Sequence, residues 1–97
     1  LGTNNCRLLI ARPSGSDFTV IDAFSRVVRL GDGLANSGRL SDAAMDRAMG
    51  ALAICADKLQ RRNVRLARSV ATEACRRASN GADFIERVRR ETGIALD

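Results

Sequence analysis

The 97-residue chain contains no histidine, tryptophan or tyrosine, and it has only three phenylalanines and one proline. Without histidine, no Ser-His or Cys-His pair can activate a nucleophile. The three cysteines form no CxxC pair, so a structural zinc site is not expected. No apolar run approaches the roughly 20 residues that cross a membrane, and no signal-peptide pattern is present. The core must therefore be built from Leu, Ile, Val, Ala and Met.

The net charge of +5 is carried mostly by arginine and suits an anionic partner such as a phosphate, a nucleotide or a nucleic acid. Nucleic acid ranks last among these, because the three phenylalanines fall at inward positions and not on a stacking surface. The arginines are also spread over both predicted long helices and not gathered on one recognition face. Scattered cysteines (Cys6, Cys55 and Cys75) fit a reducing compartment. We expect a cytoplasmic protein with neither a membrane nor a nucleic acid as its partner.

The apolar pattern predicts an incomplete α/β fold, a mixed sheet with helices packed on it, in the order β-β-(β)-α-β-α-β. Arg7–Ala11 is apolar enough to predict a central strand buried on both faces. Residues 25–30 either continue the second strand or form a third. Ser41 predicts the N-cap of the clearest helix. The predicted elements are strands at 7–11, 18–24, 64–71 and from 94, and helices at 41–62, 72–77 and 82–92.

Three stretches could hold an anion. The first is the turn before the first strand, whose small residues let a ligand approach the backbone and which is followed by the forked cation of Arg7. The second is the turn after residue 30. The third is the junction at which the predicted strand 64–71 ends and the next helix begins, where a hydroxyl side chain lies at the helix N-terminus. Taken alone, each is more often an ordinary turn or helix cap. The residues are Gly2, Thr3, Asn4, Asn5 and Arg7; Gly31, Asp32 and Gly33; and Thr72.

Four blocks in register resemble the exopolyphosphatase / guanosine pentaphosphate phosphohydrolase (Ppx/GppA) family: LGTNNCRLLIA, VVRLGDGL, GRLSDAAMDRAMGAL and VATEACRRASNGADF. The resemblance implies an actin/Hsp70-like (ribonuclease H-like) nucleotidase fold, with residues 1–97 as the N-terminal part of its first lobe. The first block resembles the family's phosphate loop, approximately D-x-G-S-N-S-x-R. In it Thr3 keeps the hydroxyl of the usual serine, while Asn5 replaces the second serine. Thr72 and Arg76 match a threonine and an arginine of the last block.

The resemblance implies Mg²⁺-dependent removal of the terminal phosphate from inorganic polyphosphate, or of the 5′-γ-phosphate from pppGpp, in a parent protein that is a possible homodimer. Phosphate contacts are expected at the first loop, Thr72 and Arg76, with Gly31–Gly33 at the rim of the cleft. The family's aspartate falls before Leu1, its catalytic glutamate after Asp97, and its second lobe outside these residues. We therefore expect no turnover from this stretch alone. The alternative is a sensor that binds polyphosphate or ppGpp without hydrolysis.

Overall fold

The computed structural model describes residues 1–64, 67–71 and 73–97. The chain is an α/β structure in which a hairpin precedes four helices. None of the helices among the described residues is long and apolar enough to cross a membrane. The elements are β1 (Asn5–Ser14), β2 (Asp17–Val27), α1 (Leu34–Ser37), α2 (Asp42–Arg61), α3 (Glu73–Arg77) and α4 (Gly81–Thr92).

The predicted hairpin is confirmed. β1 and β2 pair antiparallel from Asn5↔Val27 to Ser14↔Asp17, with a bulge after Ile10. The connection has two residues, and its first, Gly15, has a φ of 64° that favours glycine. Of the two alternatives for residues 25–30, continuation of the second strand is the one that forms, but only as far as Val27, and residues 28–30 lie outside the strand.

β1 is not buried on both faces, so that prediction was wrong. Cys6 and Ile10 are buried, whereas Leu9 between them is 67% exposed. This alternation of period two arises because α2 packs on one face of the hairpin and leaves Arg7 and Leu9 on the outer face.

The core lies between α2, α4 and the residues that follow β2. The N-cap of α2 is Ser41, as predicted, and its hydroxyl accepts a hydrogen bond from the Ala44 N–H at 3.1 Å. Small residues such as Ala48 and Ala51 form the buried face of α2 and allow close packing. The largest fully buried side chains are Phe84, Leu30, Leu40, Val28, Val88 and Cys6.

α4 begins one residue before its predicted start and ends at the predicted Gly93 cap, whose N–H donates to the Arg89 carbonyl. Asn80 precedes α4, but its side chain does not cap the helix. Its Oδ1 instead accepts from the Leu40 N–H at 2.8 Å, and its Nδ2 donates to the Leu40 carbonyl at 3.0 Å. One amide side chain thus joins the start of α4 to the residues before α2.

The predicted strand over 64–71 does not form a regular strand over residues 67–71, and residues 65 and 66 lie outside the described residues. The Ala71 N–H donates to the Asp97 carbonyl and the Asp97 N–H donates to the Ser69 carbonyl, both at 2.9 Å. This is the hydrogen-bond pattern of a parallel pair, as the predicted mixed sheet requires. A cleft of about 150 Å³ is lined both by β1 and by this segment. Among the described residues, the hairpin of β1 and β2 is the only regular sheet.

Arg47 joins α2 to the turn that follows β2. Its Nε donates to the Val28 carbonyl at 2.8 Å, and its Nη2 donates to the Arg29 carbonyl at 3.1 Å. The same Nη2 lies 3.4 Å from Oδ2 of Asp32. A planar guanidinium can serve two carbonyls and a carboxylate at once, which a lysine ammonium does with less defined geometry.

Asp22 joins β2 to the other end of α2. Its side chain is 18% exposed, and both of its carboxylate oxygens lie 3.2 Å from Nζ of Lys58. Nε of Arg62 lies 3.5 Å from Oδ2. The hydrogen bonds from Lys58 hold the pKa of Asp22 below its usual range.

We predict that Asp22→Asn loses stability in a pH-dependent way. Since the folded pKa of Asp22 lies below the ordinary value of 3.8, its ionised form stabilises the fold above that value and ceases to do so as the pH falls through the folded pKa. The difference in the free energy of unfolding between wild type and D22N should therefore be constant near neutral pH and shrink below about pH 4. Urea denaturation over this pH range measures it. The control is Asp57→Asn, whose exposed pair with Arg61 should matter little; a difference that does not vary with pH would contradict the prediction.

We predict that Arg47→Met destabilises the protein by about 2 kcal/mol, because two carbonyls of the turn lose a charged donor. Arg47→Lys should recover part of this loss. Urea denaturation gives the free energy, and tryptic cleavage after Arg29 should become faster as the turn loosens. Arg61→Met on the same helix is the control, since its side chain is 78% exposed and should contribute less than about 0.5 kcal/mol. Equal losses in R47M and R61M would refute the structural role of Arg47.

Candidate functional site

The loop formed by Gly2, Thr3, Asn4 and Asn5, called the first loop below, is held in place by the residues that follow β2. The Asn4 carbonyl accepts from the N–H groups of both Val28 and Arg29, at 2.8 and 2.9 Å. The Thr3 carbonyl accepts from the Gly31 N–H at 3.1 Å. The side chains of Thr3 and Asn4 are exposed. The backbone of the first loop is therefore fixed by its neighbours, while its side chains face solvent.

The first loop lines an open cleft of about 460 Å³, called the loop cleft below. The structure brings together in it all five residues predicted from the first block, together with the end of the 67–71 segment. Thr72, the next residue along the chain and also a predicted phosphate contact, lies outside the described residues. The residues that line the loop cleft are Leu1, Gly2, Thr3, Asn4, Asn5, Arg7, Val70 and Ala71.

Among the described residues that line the loop cleft, Arg7 is the one arginine or lysine. It lies on the outer, exposed face of β1 and makes no hydrogen bond or ion pair with any described residue. A guanidinium in this state presents its five N–H donors to whatever anion enters. The position predicted for Arg7 beside the first loop is thus the position it has.

Arg68 is a second exposed cation that the sequence reasoning missed. Arg68 lines a smaller cleft of about 110 Å³. This cleft and the loop cleft have Leu1, Arg7 and Val70 in common. A signal for it was present, because in the strand predicted over 64–71 residues two apart share a face, so Arg68 would share a face with Val70. In the structure Val70 lines both clefts, and Arg68 lines the smaller one.

The turn of Gly31, Asp32 and Gly33 lies against the first loop, where a rim was predicted. A Cβ built on Gly31 would approach Cγ2 of Thr3 to 2.7 Å, so only glycine fits there without displacement. Asp32 does not line the loop cleft; its carboxylate faces Arg47 and Arg29 at 3.4 and 3.7 Å. The turn therefore shapes the first loop and contributes no free carboxylate to the cleft.

Arg76 is not brought to the loop cleft. It lies on the exposed side of α3, whose buried residues are Ala74 and Cys75. The neighbouring Arg77 pairs with Glu73 at 3.6 Å. A contact between Arg76 and phosphate stays a prediction.

No carboxylate is among the described residues that line the loop cleft. Within residues 1–64, 67–71 and 73–97, no group of three or more His, Cys, Asp or Glu side chains could hold a metal ion. What the described part of the cleft offers is one free guanidinium, a hydroxyl, two carboxamides and a glycine. These are groups that bind a phosphate.

The model of the Ppx/GppA phosphatase family matches residues 9–97. The solved Ppx/GppA family member of Aquifex aeolicus superposes with a TM-score of 0.96 at 31% identity, over 100% of this chain and 32% of its own. An exopolyphosphatase from Cytophaga hutchinsonii gives 0.94 at 29% identity, over 100% and 31%. An exopolyphosphatase-like protein gives 0.90 at 32%, over 99% and 29%.

The chain thus spans about a third of the length of these solved relatives. The matches confirm the predicted α/β fold of the actin-like nucleotidase type, here with a small and incomplete sheet. By its sequence and by its fold, the chain belongs to the Ppx/GppA phosphatase family.

Proposed function

We propose that this chain is the phosphate-binding part of a phosphohydrolase that removes the terminal phosphate from inorganic polyphosphate or the 5′-γ-phosphate from pppGpp. The observation that carries the proposal is the position of Arg7, an unpaired guanidinium beside the first loop in the loop cleft. Membership of a phosphatase family supports the reaction class. The name of the Cytophaga hutchinsonii relative makes polyphosphate the first substrate to test.

Each group of the loop cleft has a part in holding the phosphate. Arg7 binds two phosphate oxygens with a pair of parallel, charge-assisted hydrogen bonds. Gly2 lets the anion approach the backbone, and Thr3 and Asn4 donate from exposed side chains. Arg68 sits in the adjoining cleft and suits the next phosphate of a chain, since successive phosphates repeat the same charge.

Mg²⁺ is the cofactor expected from the family, but the residues of the loop cleft do not fit a Mg²⁺ site by themselves. Protein sites for Mg²⁺ usually supply one or two carboxylates beside the substrate phosphates, and the part of this cleft's lining that the structure describes has none. The described part of the chain therefore binds the phosphate and not the ion. The carboxylate that activates water must also come from elsewhere, and the family resemblance places it after Asp97.

We predict that Arg7→Ala in the full-length parent protein lowers kcat/KM for phosphate release by about a hundredfold, the usual effect of removing one positioned donor. Stability should change by less than about 0.5 kcal/mol, because Arg7 is exposed and unpaired. Release from polyphosphate and from pppGpp, each with Mg²⁺, is the measurement.

Arg12→Ala is the matched control for Arg7→Ala. Arg12 carries the same charge as Arg7, lies in the same strand and is also exposed. It lies near the hairpin turn, however, where it is opposite Thr19 in the register of the two strands. Equal losses in both variants would show a general effect of charge and contradict a site at Arg7. Tight binding of either substrate without any release would favour the sensor over the enzyme.

We predict that Gly31→Ala raises KM by about tenfold, because the new methyl would meet Cγ2 of Thr3 and displace the first loop. The double variant with Thr3→Ser should recover most of the affinity, since serine lacks that methyl and keeps the hydroxyl. Gly50→Ala is the control: it lies in α2 with no atom within 4 Å of the added carbon, and it should stabilise the fold by about 0.5–1 kcal/mol without changing KM. Failure of Thr3→Ser to rescue would refute the contact.

A further inference from the structure

Cys6 and Cys55 lie in contact between β1 and α2. Their Sγ atoms are 3.9 Å apart although 49 residues separate them in the chain. Both are buried, at 1% and 4% exposure. Cys75, in α3, is buried as well but contacts no other cysteine among the described residues. The chain thus holds one dithiol pair and one isolated thiol in comparable surroundings.

The two sulfurs of the pair differ in their acidity. A hydrogen bond from the Cys55 thiol, with a smaller contribution from the charge of Arg26, lowers the pKa of Cys6. The same hydrogen bond, together with burial, raises the pKa of Cys55. Burial alone raises the pKa of Cys75. The contact lets the thiol of one cysteine donate to the thiolate of the other, and the lowered pKa makes Cys6 the sulfur that ionises more readily and so the nucleophile.

A small oxidant can reach the pair. Cys6 and Cys55 both line the cleft of about 110 Å³ that also contains Arg7 and Arg68. A molecule of water occupies about 30 Å³ in the liquid, so hydrogen peroxide fits this volume.

We propose that Cys6 and Cys55 form a reversible disulfide when a hydroperoxide enters this cleft. The Cys6 thiolate attacks one peroxide oxygen, the O–O bond breaks, and Cys6 sulfenic acid and hydroxide form. The Cys55 sulfur then attacks the sulfenic sulfur, and the S–O bond breaks to release water as the S–S bond forms. The two sulfurs lose two electrons in total and the peroxide gains them. A small dithiol reverses the reaction by thiol–disulfide exchange.

The disulfide would act on the loop cleft, a consequence that rests on the proposed function. Cys6 directly follows Asn5 of the first loop. The bond brings the sulfurs from 3.9 Å to about 2.05 Å and so draws the start of β1 towards α2. A displacement of this size at a positioning loop is enough to lower phosphate release at least about tenfold.

The first experiment reads the bond itself and does not depend on activity. The reduced full-length protein is treated with hydrogen peroxide, alkylated, digested and mapped by mass spectrometry. We expect a peptide pair joined through Cys6 and Cys55 in the wild type and in Cys75→Ala, and its loss in Cys55→Ala. Recovery of Cys6 and Cys55 as alkylated thiols, or cross-linking of either to Cys75, would overturn the proposal. The wild-type result needs no variant to fold.

The second experiment measures phosphate release before oxidation, after it, and after dithiothreitol. We expect a loss of at least about tenfold that dithiothreitol restores in the wild type and in Cys75→Ala, and no loss in Cys55→Ala. A cross-linked protein with unchanged release would overturn the effect on the loop cleft. Absence of release from the reduced protein would overturn the proposed function. The mapped cross-link would still show whether the disulfide forms.

Discussion

The carbonyl of Asn4, which accepts hydrogen bonds from two successive N–H groups after β2, is the contact on which the candidate site depends. It joins the loop before β1 to the residues after β2, so the two ends of the hairpin are fixed against each other. Val28, one of the two donors, is buried, and Arg47 holds the carbonyls of the same turn. The backbone of the first loop is therefore anchored to residues that are themselves tied to the core.

This explains how the family pattern can vary in the first loop without changing its shape. Asn5 stands where the pattern has serine, yet it pairs with Val27 at the end of the hairpin as a strand residue does. The carbonyls of Thr3 and Asn4 make backbone contacts that hold the loop, and these contacts do not depend on the identity of the side chain. Gly31 is constrained in the opposite way, since its place against Thr3 leaves no room for a side chain.

The features that were predictable from sequence are those encoded locally. Ser41 as an N-cap and Gly93 as a C-cap reflect backbone groups that must be satisfied within one turn of a helix, and the hairpin reflects a two-residue turn with glycine. The place of Arg7 beside the first loop was predictable because it follows that loop almost directly in the sequence, and its contact with phosphate stays a prediction. The burial of β1 on both faces was not, since an apolar run does not say how many layers will cover it.

The features that were missed depend on contacts between distant parts of the chain. In the sequence, Arg47 is one more charged residue on the outer side of α2, and only the fold shows that it contacts the turn after β2. In the same way Asn80 has the sequence pattern of a turn residue, and only the fold shows its contact with Leu40. The pairing of Cys6 with Cys55 likewise appears only when β1 packs on α2.

The charged groups around the loop cleft limit the chemistry that this part of the fold can perform. Arg7 and neutral donors line the described part of the loop cleft, whereas the carboxylates of Asp32 and Asp22 are already paired, with Arg47 and Lys58 respectively. A cleft of this composition attracts a phosphate but does not deprotonate water, which needs a free base within hydrogen-bond reach. The proposed function therefore separates binding of the phosphate from activation of water. In that proposal the affinity of the cleft for an anion follows from Arg7 and the first loop, and the rate of hydrolysis follows from a group outside the cleft's described lining.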